Sequence, residues 1–413
     1  MRVAFVVQRY GTEVVGGAEL HCRWVAEHVA ARHEVEVLTT TATDYLSWAN
    51  VLPPGVSRVN GVAVRRFPVA RERREDVFFP VANRVCFFDH TDEDERLWLE
   101  EHGPVVPGLL DHLRRHEADY DAIVFFSYRY WTTYFGVQVA PAKSLLVPTA
   151  EHDRVIYLRL FREFFRLPAA VVFNTPEERD LIERATGNEG LRGEVVGTGI
   201  ERPAVVPVDE VAPRLDLLGD YLVYVGRIEP EKGCAVMIDH FLRWQRETRA
   251  AATLALFGRS TMTFSENAHV RLMGVVPDGE KLAAIARSRG LLMPSRHESL
   301  SMVVLEAWMM GRPVLVNGDC EVLRGQVLRA DGGLYYRRYE EFAAAMDLLV
   351  SDRALGDRLG RQGRDFFEAN YSWDRVMEKY ERLLLQAAAG AGRADVGGVG
   401  SGLAGTGEES AVR

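Results

Sequence analysis

The chain has 413 residues, which is more than one ordinary hydrophobic core organises, so its length predicts two domains or three. Its apolar fraction of 47% and charged fraction of 26% are typical of a globular protein. The net charge of -9 argues against a general affinity for nucleic acid, because phosphate binding needs a basic surface. The four cysteines, at 22, 86, 234 and 320, have no metal-type or disulfide-type spacing, as suits a reducing compartment.

The sequence favours a cytoplasmic location. The first residues, MRVAFVVQRYG, have too short an apolar run for a signal peptide, and no stretch is long and apolar enough to span a bilayer. Peripheral contact with a membrane stays open. Lysine occurs at four positions, Lys143, Lys232, Lys281 and Lys379, while arginine carries the remaining positive charge. A lysine kept in such a chain is a candidate for a chemical role.

In the first half, short apolar runs alternate with helical patterns, which is typical of a doubly wound α/β domain. VAFVVQ, at residues 3–8, predicts a buried strand; a glycine-bearing loop follows, and then a helix from about Ala18 to Ala30. Further strands are predicted at EVEVLTT, DAIVFFS, SLLVPTA, AAVVFNT and GEVVGTGI. These elements predict a first domain over residues 1–200.

The second half repeats the pattern after a break. Prolines at 203, 207 and 213 punctuate residues 201–219, which we predict to be a linker without helical or strand period. Strands are then predicted at YLVYVG, ATLALFG, VRLMGVV, GLLMPS and RPVLVNG, with helices that begin near Gly233, Asp278 and Ser301. We predict a second doubly wound domain over 220–370, a terminal helix over 371–389 and a disordered tail over 390–413.

Two such domains place the carboxyl ends of two parallel sheets across a cleft, where ligands of these folds bind. Four segments lie at predicted ends of strands and helices, in this order: GGAELH (16–21), VGRIEPEKG (225–233), ESLSMVVLE (298–306) and YSWDRVMEKYERLL (371–384). With these segments the chain resembles the retaining GT-B glycosyltransferases of family 4, the glycosyl transferases group 1, up to about residue 388. The resemblance implies an acceptor-binding first domain and a second domain that binds a nucleotide sugar.

The E-x7-E segment suggests a role for each of its two glutamates, Glu298 and Glu306. A helix N-terminus offers free N–H groups to a diphosphate, and the helix that begins near Ser301 provides one, with Leu300 and Met302 beside it. By the resemblance, Glu306 binds the ribose hydroxyls and Glu298 faces the transferred sugar. Ser301 stands where the family usually has a glycine, which crowds the sugar pocket.

Two cations are predicted to stabilise the leaving diphosphate. Arg227 ends a strand and Lys232 begins the next helix, so both are expected to project into the cleft, where preorganised positive charge lowers the barrier most. With these cations in place, we expect no metal and no bound cofactor. The nucleoside diphosphate sugar is then a co-substrate.

Paired glycines follow the first predicted strand. Gly16 and Gly17 allow the backbone to approach the donor closely, and by the resemblance their loop closes on the phosphates. The alternative is an ordinary flexible loop. Glu19 and His21, which follow, are expected on the surface of the helix.

Other candidates lie in the first domain. The family often carries a histidine near the transferred sugar; His152 is the best match, although Glu151 stands where closer members place that histidine. The aromatic residues of SYRYW, namely Tyr128, Tyr130 and Trp131, are candidates to stack on a sugar-like acceptor or to pack in the core. The acidic run at 92–101 is predicted to be a solvated helix face, and residues 65–80 a surface segment.

These features predict a retaining, metal-independent glycosyltransferase that moves a sugar from a nucleoside diphosphate donor, UDP rather than GDP, to an acceptor hydroxyl. The acceptor is a glycan, a lipid-linked intermediate or a small natural product. Two alternatives stay open: a GT-B sugar-nucleotide epimerase or phosphorylase, and a non-catalytic scaffold that binds nucleotide sugars. Neither nucleic acid nor a transmembrane segment is expected.

Overall fold

The structure, a computed structural model, describes residues 1–14, 16–202, 208–264 and 269–396, and only the backbone at 210–212 and 391–396. The strands of the first sheet are β1 (Arg2–Val6), β2 (Glu34–Thr40), β3 (Gly55–Val59), β4 (Val62–Phe67), β5 (Ala122–Phe126), β6 (Ser144–Val147), β7 (Ala170–Phe173) and β8 (Gly193–Val195). Their order across the sheet is β3-β4-β2-β1-β5-β6-β7-β8. Every neighbouring pair is parallel except β3 and β4, which are antiparallel.

The second sheet is parallel throughout. Its strands are β9 (Tyr221–Val225), β10 (Thr253–Phe257), β11 (Val270–Gly274), β12 (Leu291–Met293), β13 (Val314–Asn317) and β14 (Gly333–Tyr336). The order β11-β10-β9-β12-β13-β14 reverses direction between β9 and β12, which is the switch point where ligands of open α/β sheets bind. The predicted fold class, two doubly wound α/β domains, is confirmed.

Helices connect the strands. Those between β1 and β8 are α1 (Gly17–Val29), α2 (Glu75–Phe87), α3 (Asp92–His102), α4 (Pro107–His116), α5 (Trp131–Val137), α6 (Leu160–Phe164) and α7 (Pro176–Thr186). Those that follow are α8 (Val208–Arg214), α9 (Cys234–Thr248), α10 (Asp278–Arg287), α11 (Met302–Met309), α12 (Glu321–Ala330), α13 (Tyr339–Ser351), α14 (Arg353–Asn370) and α15 (Trp373–Val396). Among the described residues, none of these helices combines the length and apolar character needed to cross a bilayer.

The acidic run at 92–101 is only partly solvated, so that prediction was wrong for two of its members. Glu95 and Glu101 are both 1% exposed on α3. Glu101 accepts hydrogen bonds from Arg71 at 2.8 Å and from Arg74, and Glu95 accepts one from the backbone N–H of Leu160 at 2.9 Å. These carboxylates tie α3 to neighbouring segments, because a buried charge requires a partner.

The predicted linker and tail also need correction. Residues 203–207 lie outside the described residues, but α8 follows them, so the segment is not free of helix. α8 packs on α10, and Arg214 pairs with Glu280 at 2.6 Å. The tail was predicted to be disordered from residue 390, yet α15 continues to Val396; residues 397–413 lie outside the described residues.

The terminal helix α15 returns to the first sheet. Its apolar side chains pack with β1, β5 and β6 in one core, and Tyr380 and Leu384 have no exposed surface. Trp373, its first residue, stacks on His28 of α1 with ring centroids 3.6 Å apart. The last helix therefore completes the core of the first domain.

Replacing Leu384 with Ala should lower the free energy of unfolding by about 2–5 kcal/mol, because it removes buried methyl groups from a packed core. Urea unfolding measures this loss. Leu385→Ala is the matched control, since Leu385 is 57% exposed and its truncation should cost no more than about 0.5 kcal/mol. Equal losses in the two variants would contradict the docking of α15.

Candidate functional site

The first turn of α11 faces the cleft between the two domains. Ser301, the residue before this helix, is 2% exposed and its side chain makes no capping hydrogen bond. The first N–H groups of a helix have no intrahelical acceptor, and the positive end of the helix dipole lies there. The oxygen of Ser299, two residues earlier, accepts a hydrogen bond from the Thr175 hydroxyl of the first domain at 3.3 Å. The two domains therefore meet beside this helix end.

The first turn of α1 lies opposite that of α11. A Cβ atom built on Gly17 would lie 3.7 Å from the terminal methyl carbon of Met302, the first residue of α11. A Cβ atom on Gly16 would lie 2.1 Å from a carboxylate oxygen of Glu19, so a side chain at residue 16 would collide with it. Gly17 therefore lies next to α11, while the absence of a side chain at Gly16 leaves room for the Glu19 carboxylate.

Glu19 and His21 are buried, so the prediction that they lie on the helix surface was wrong. Glu19 is 6% exposed and accepts hydrogen bonds from Gln8 at 2.8 Å and from the Arg9 guanidinium. His21 packs against the edge of Phe126, and burial lowers its pKa to about 3. Glu19 thus holds α1 against the segment that follows β1, and His21 packs α1 against the end of β5.

Lys232 and Glu298 form an ion pair in the cleft, with 2.9 Å between Nζ and the carboxylate. Lys232 lies in the turn before α9, and Glu298 in the turn before α11. Burial lowers the pKa of Lys232, but the carboxylates of Glu298 and Glu151 outweigh it, so its pKa lies above the ordinary value. Lys232 is therefore a permanent cation at the centre of the cleft.

Glu151, rather than His152, is coupled to this ion pair. Burial raises the pKa of Glu151; Lys232 opposes the shift and Glu298 adds to it. His152 is exposed and its Nε2 lies 2.9 Å from the Tyr157 hydroxyl. His152 does line a cavity with Glu298. Its predicted role beside the transferred sugar stays a prediction, while the first-domain carboxylate that acts on Lys232 is that of Glu151.

Arg227 reaches the first domain. Its guanidinium lies 3.1 Å from the Tyr45 hydroxyl and 3.1 Å from Glu229, and its side chain is 49% exposed. The Tyr45 ring also lies under Arg9, with 5.4 Å between the guanidinium carbon and the ring centroid. The tyrosine therefore connects one arginine from each domain across the cleft.

Glu306 lies on the buried face of α11 and is only 6% exposed. Its Oε1 accepts a hydrogen bond from Lys281 at 2.8 Å, while its Oε2 is buried without a partner among the described residues. A buried carboxylate oxygen that accepts no hydrogen bond costs free energy. A ligand hydroxyl is one group that can donate the missing hydrogen bond. This geometry fits the ribose contact that the resemblance implies.

Of the three aromatic candidates for the acceptor, Tyr128 is excluded. It has no exposed surface and packs among Phe161 and Phe165, with ring centroids at 4.7 Å and 5.3 Å. Tyr130 and Trp131 are half-buried. Tyr130 stacks on His102 with 5.1 Å between ring centroids. The packing alternative is therefore correct for Tyr128, and the acceptor role of the other two stays a prediction.

Charged pairs hold the domains together beside the site. Glu177 of α7 pairs with both nitrogens of the Arg329 fork on α12, one of them at 3.0 Å. Arg184, two turns further along α7, pairs with Glu321 at 3.1 Å. We call these two pairs the α7–α12 latch.

Over the described residues, no group of three or more His, Cys, Asp or Glu side chains is arranged to hold a metal.

Most of the second domain matches a known protein family. Residues 219–352 match the family model described as Glycosyl transferases group 1. The D-inositol 3-phosphate glycosyltransferase of Jonesia denitrificans is 29% identical over 253 residues, which is 54% of this chain and 59% of that protein. The chain thus spans about three fifths of the length of this curated relative.

Solved structures resemble the whole chain in fold. Sucrose-phosphate synthase from Thermosynechococcus elongatus has a TM-score of 0.68 at 18% identity and covers 94% of this chain and 99% of its own. HepE from Anabaena in complex with UDP has a TM-score of 0.66 at 13% identity. The match covers 93% of this chain and 99% of the HepE chain. The GT-B fold over the whole chain and the family model over the second domain confirm the predicted resemblance to the GT-B glycosyltransferases of family 4.

Two residues of the site were missed by the sequence interpretation. Lys281 was noted only as one of four lysines, and its place beside Glu306 depends on how α10 packs on α11. Glu151 was noted only because it stands where closer family members place the histidine. The rarity of lysine was a usable signal for the first, and the position of Glu151 immediately after a buried strand was one for the second.

Replacing Arg329 with Ala should loosen the domains, because it leaves Glu177 of the α7–α12 latch without its cation. A partly exposed pair contributes about 1 kcal/mol, so the ratio of open to closed forms should rise about fivefold. Small-angle X-ray scattering of the nucleotide-free protein should give a larger radius of gyration. Arg361→Ala, on the exposed face of α14, is the control; an unchanged radius in both variants would contradict the latch.

Proposed function

We propose that this protein is a retaining glycosyltransferase that moves a sugar from a nucleoside diphosphate donor to an acceptor hydroxyl. The observation that carries the proposal is the convergence of two uncapped helix N-termini, those of α1 and α11, beside the Lys232–Glu298 pair. Two positive helix ends and a permanent lysine cation form a site for a dianion. The fold and the family model support a sugar-transfer role for it.

In the proposed complex the diphosphate lies at the N-terminus of α11, and the ribose lies against Glu306. Lys232 exchanges its contact with Glu298 for a contact with the phosphates, and the released Glu298 faces the sugar. Its negative charge then stabilises the positive charge that develops at the anomeric carbon. Arg227 adds a second cation to the diphosphate. The positive charge needed by the leaving group comes from these groups, and we propose that the reaction proceeds without a metal.

The proposed reaction retains the anomeric configuration. The acceptor oxygen bonds to the anomeric carbon on the face from which the diphosphate departs, as the carbon–oxygen bond to phosphate breaks. The acceptor proton passes to the departing phosphate oxygen, so no protein nucleophile is required. Glu151, on the first-domain side of Lys232, is placed to contact the transferred sugar or the acceptor. UDP is the preferred nucleotide of the proposal, since HepE, which shares the fold, binds UDP.

Glu298→Gln should reduce donor consumption by about 10²–10³-fold, because it removes the charge that faces the developing cation. Release of UDP from UDP-sugars, or of GDP from GDP-sugars, is measured with and without candidate acceptors. Glu340→Gln, on the exposed start of α13, should retain the activity of the wild type. Equal turnover of the wild type and Glu298→Gln would favour the non-catalytic scaffold instead.

UDP should raise the melting temperature of the wild type, because a ligand that binds only the folded state stabilises it, by about 2.7 kcal/mol at 100 times its Kd. UMP should give a smaller shift, since it leaves the second phosphate contact unmade. In Lys232→Met the difference between UDP and UMP should largely vanish. A full difference in that variant would place the diphosphate away from Lys232.

A further inference from the structure

Lys281 is a buried cation that the sugar-transfer reaction leaves without a role. Its ammonium group bridges two carboxylates: Glu306 of α11 at 2.8 Å and Asp278, at the start of its own helix, at 2.9 Å. The Lys281 side chain is 17% exposed and that of Glu306 is 7% exposed, whereas Asp278 is 80% exposed. The bridge therefore connects the surface of α10 to a carboxylate inside the second domain.

The two oxygens of Glu306 have different surroundings. Oε1 accepts from Lys281, and Oε2 is buried and has no partner among the described residues. Burial raises the pKa of Glu306, and the ammonium group of Lys281 opposes that shift. Without the lysine, nothing among the described charges facing Glu306 would favour its ionised form, because the other group acting on it, Asp278, is itself an acid.

A carboxylate that accepts hydrogen bonds from two adjacent hydroxyls must be ionised, because a protonated carboxyl oxygen is a donor. The plane of the carboxylate must also be fixed. Lys281 meets both needs with one contact: it supplies the opposite charge and it occupies Oε1, so that Oε2 is directed elsewhere. We propose that Lys281 is a positioning residue that holds Glu306 ionised and oriented for the ribose of the donor nucleotide. This inference rests on the proposed function, because it assigns the ribose to Glu306.

The bridge to Asp278 supports a positioning role. An ammonium group with a single partner can rotate away from it, whereas one with partners on both sides is held in place. Asp278 lies one helical turn before Lys281, so the backbone of α10 fixes the distance between them. The lysine is anchored on α10, and the packing of α10 on α11 brings it to the Glu306 carboxylate.

The test compares nucleotides with and without the 2′ hydroxyl. Dissociation constants of UDP and 2′-deoxy-UDP, and of GDP and 2′-deoxy-GDP, are measured for the full chain by isothermal titration calorimetry. For the nucleotide that the wild type binds, we expect the deoxy form to bind at least about tenfold more weakly, as for loss of a hydrogen bond to a charged group. Lys281→Met should reduce that ratio to about twofold or less, and Lys281→Arg should restore most of it.

Matched controls separate positioning from stability. Lys143→Met removes another partly buried lysine, which donates to the Glu117 and Tyr120 carbonyls in the first domain, and it should keep the wild-type ratio. In Glu306→Gln the ratio of the two dissociation constants, deoxy form to ribose form, should fall as it does in Lys281→Met. If Lys281→Met does not fold, Lys281→Gln, which keeps a donor without the charge, is used instead and should also lose the ratio.

The outcomes are distinguishable. A wild-type ratio retained in Lys281→Met would overturn the positioning role, even if the melting temperature falls. A wild type that binds UDP or GDP but does not distinguish the deoxy form would overturn the inference and leave the proposed function standing. A wild type that binds none of the four nucleotides would overturn both.

Discussion

The site depends on one electrostatic constraint: two helices of different domains direct their positive ends at the same point. Like ends of helix dipoles repel each other, and neither α1 nor α11 has a side-chain cap to reduce that repulsion. Carboxylates compensate part of the charge: Glu19 lies within the first turn of α1, and Glu298 lies just before α11. Each of these acids is itself paired with a cation, Arg9 for one and Lys232 for the other. The neighbouring positive ends of α1 and α11 therefore favour an added anion between the domains.

The fold could be predicted from the sequence wherever apolar runs alternate with amphipathic segments. It could not be predicted where the pattern is short or mixed. The β3–β4 hairpin was missed although Asn60 and Gly61, both with positive φ, are a strong turn signal between its strands. Residues 65–80 were interpreted as a surface segment because Pro80 and many charges obscured the period of α2. α8 was missed because Pro213 argues against a helix, and only its packing on α10 explains why one forms there.

The site was predictable to the extent that its motifs are local. Lys232 and Glu298 were predicted on two turns of the second domain that face the cleft, and in the structure their side chains form an ion pair. What the sequence could not show is which side chain of a segment points inward. Tyr128 follows a strand with a positive-φ residue, Ser127, between them, which turns its ring into the core. Likewise, only the packing of α10 against α11 reveals that Lys281 belongs to the site.

The terminal helix has a consequence for how the protein is made. α15 is the last described element of the chain, yet it forms part of the core against β1, which is synthesised before the whole second domain. During synthesis one apolar face of the first sheet stays uncovered until the whole second domain has been made. Exposed apolar surfaces of this kind are prone to aggregate. At roughly 5–20 residues per second that exposure lasts at least several seconds. The core of the first domain can therefore be completed only after the second domain has been synthesised.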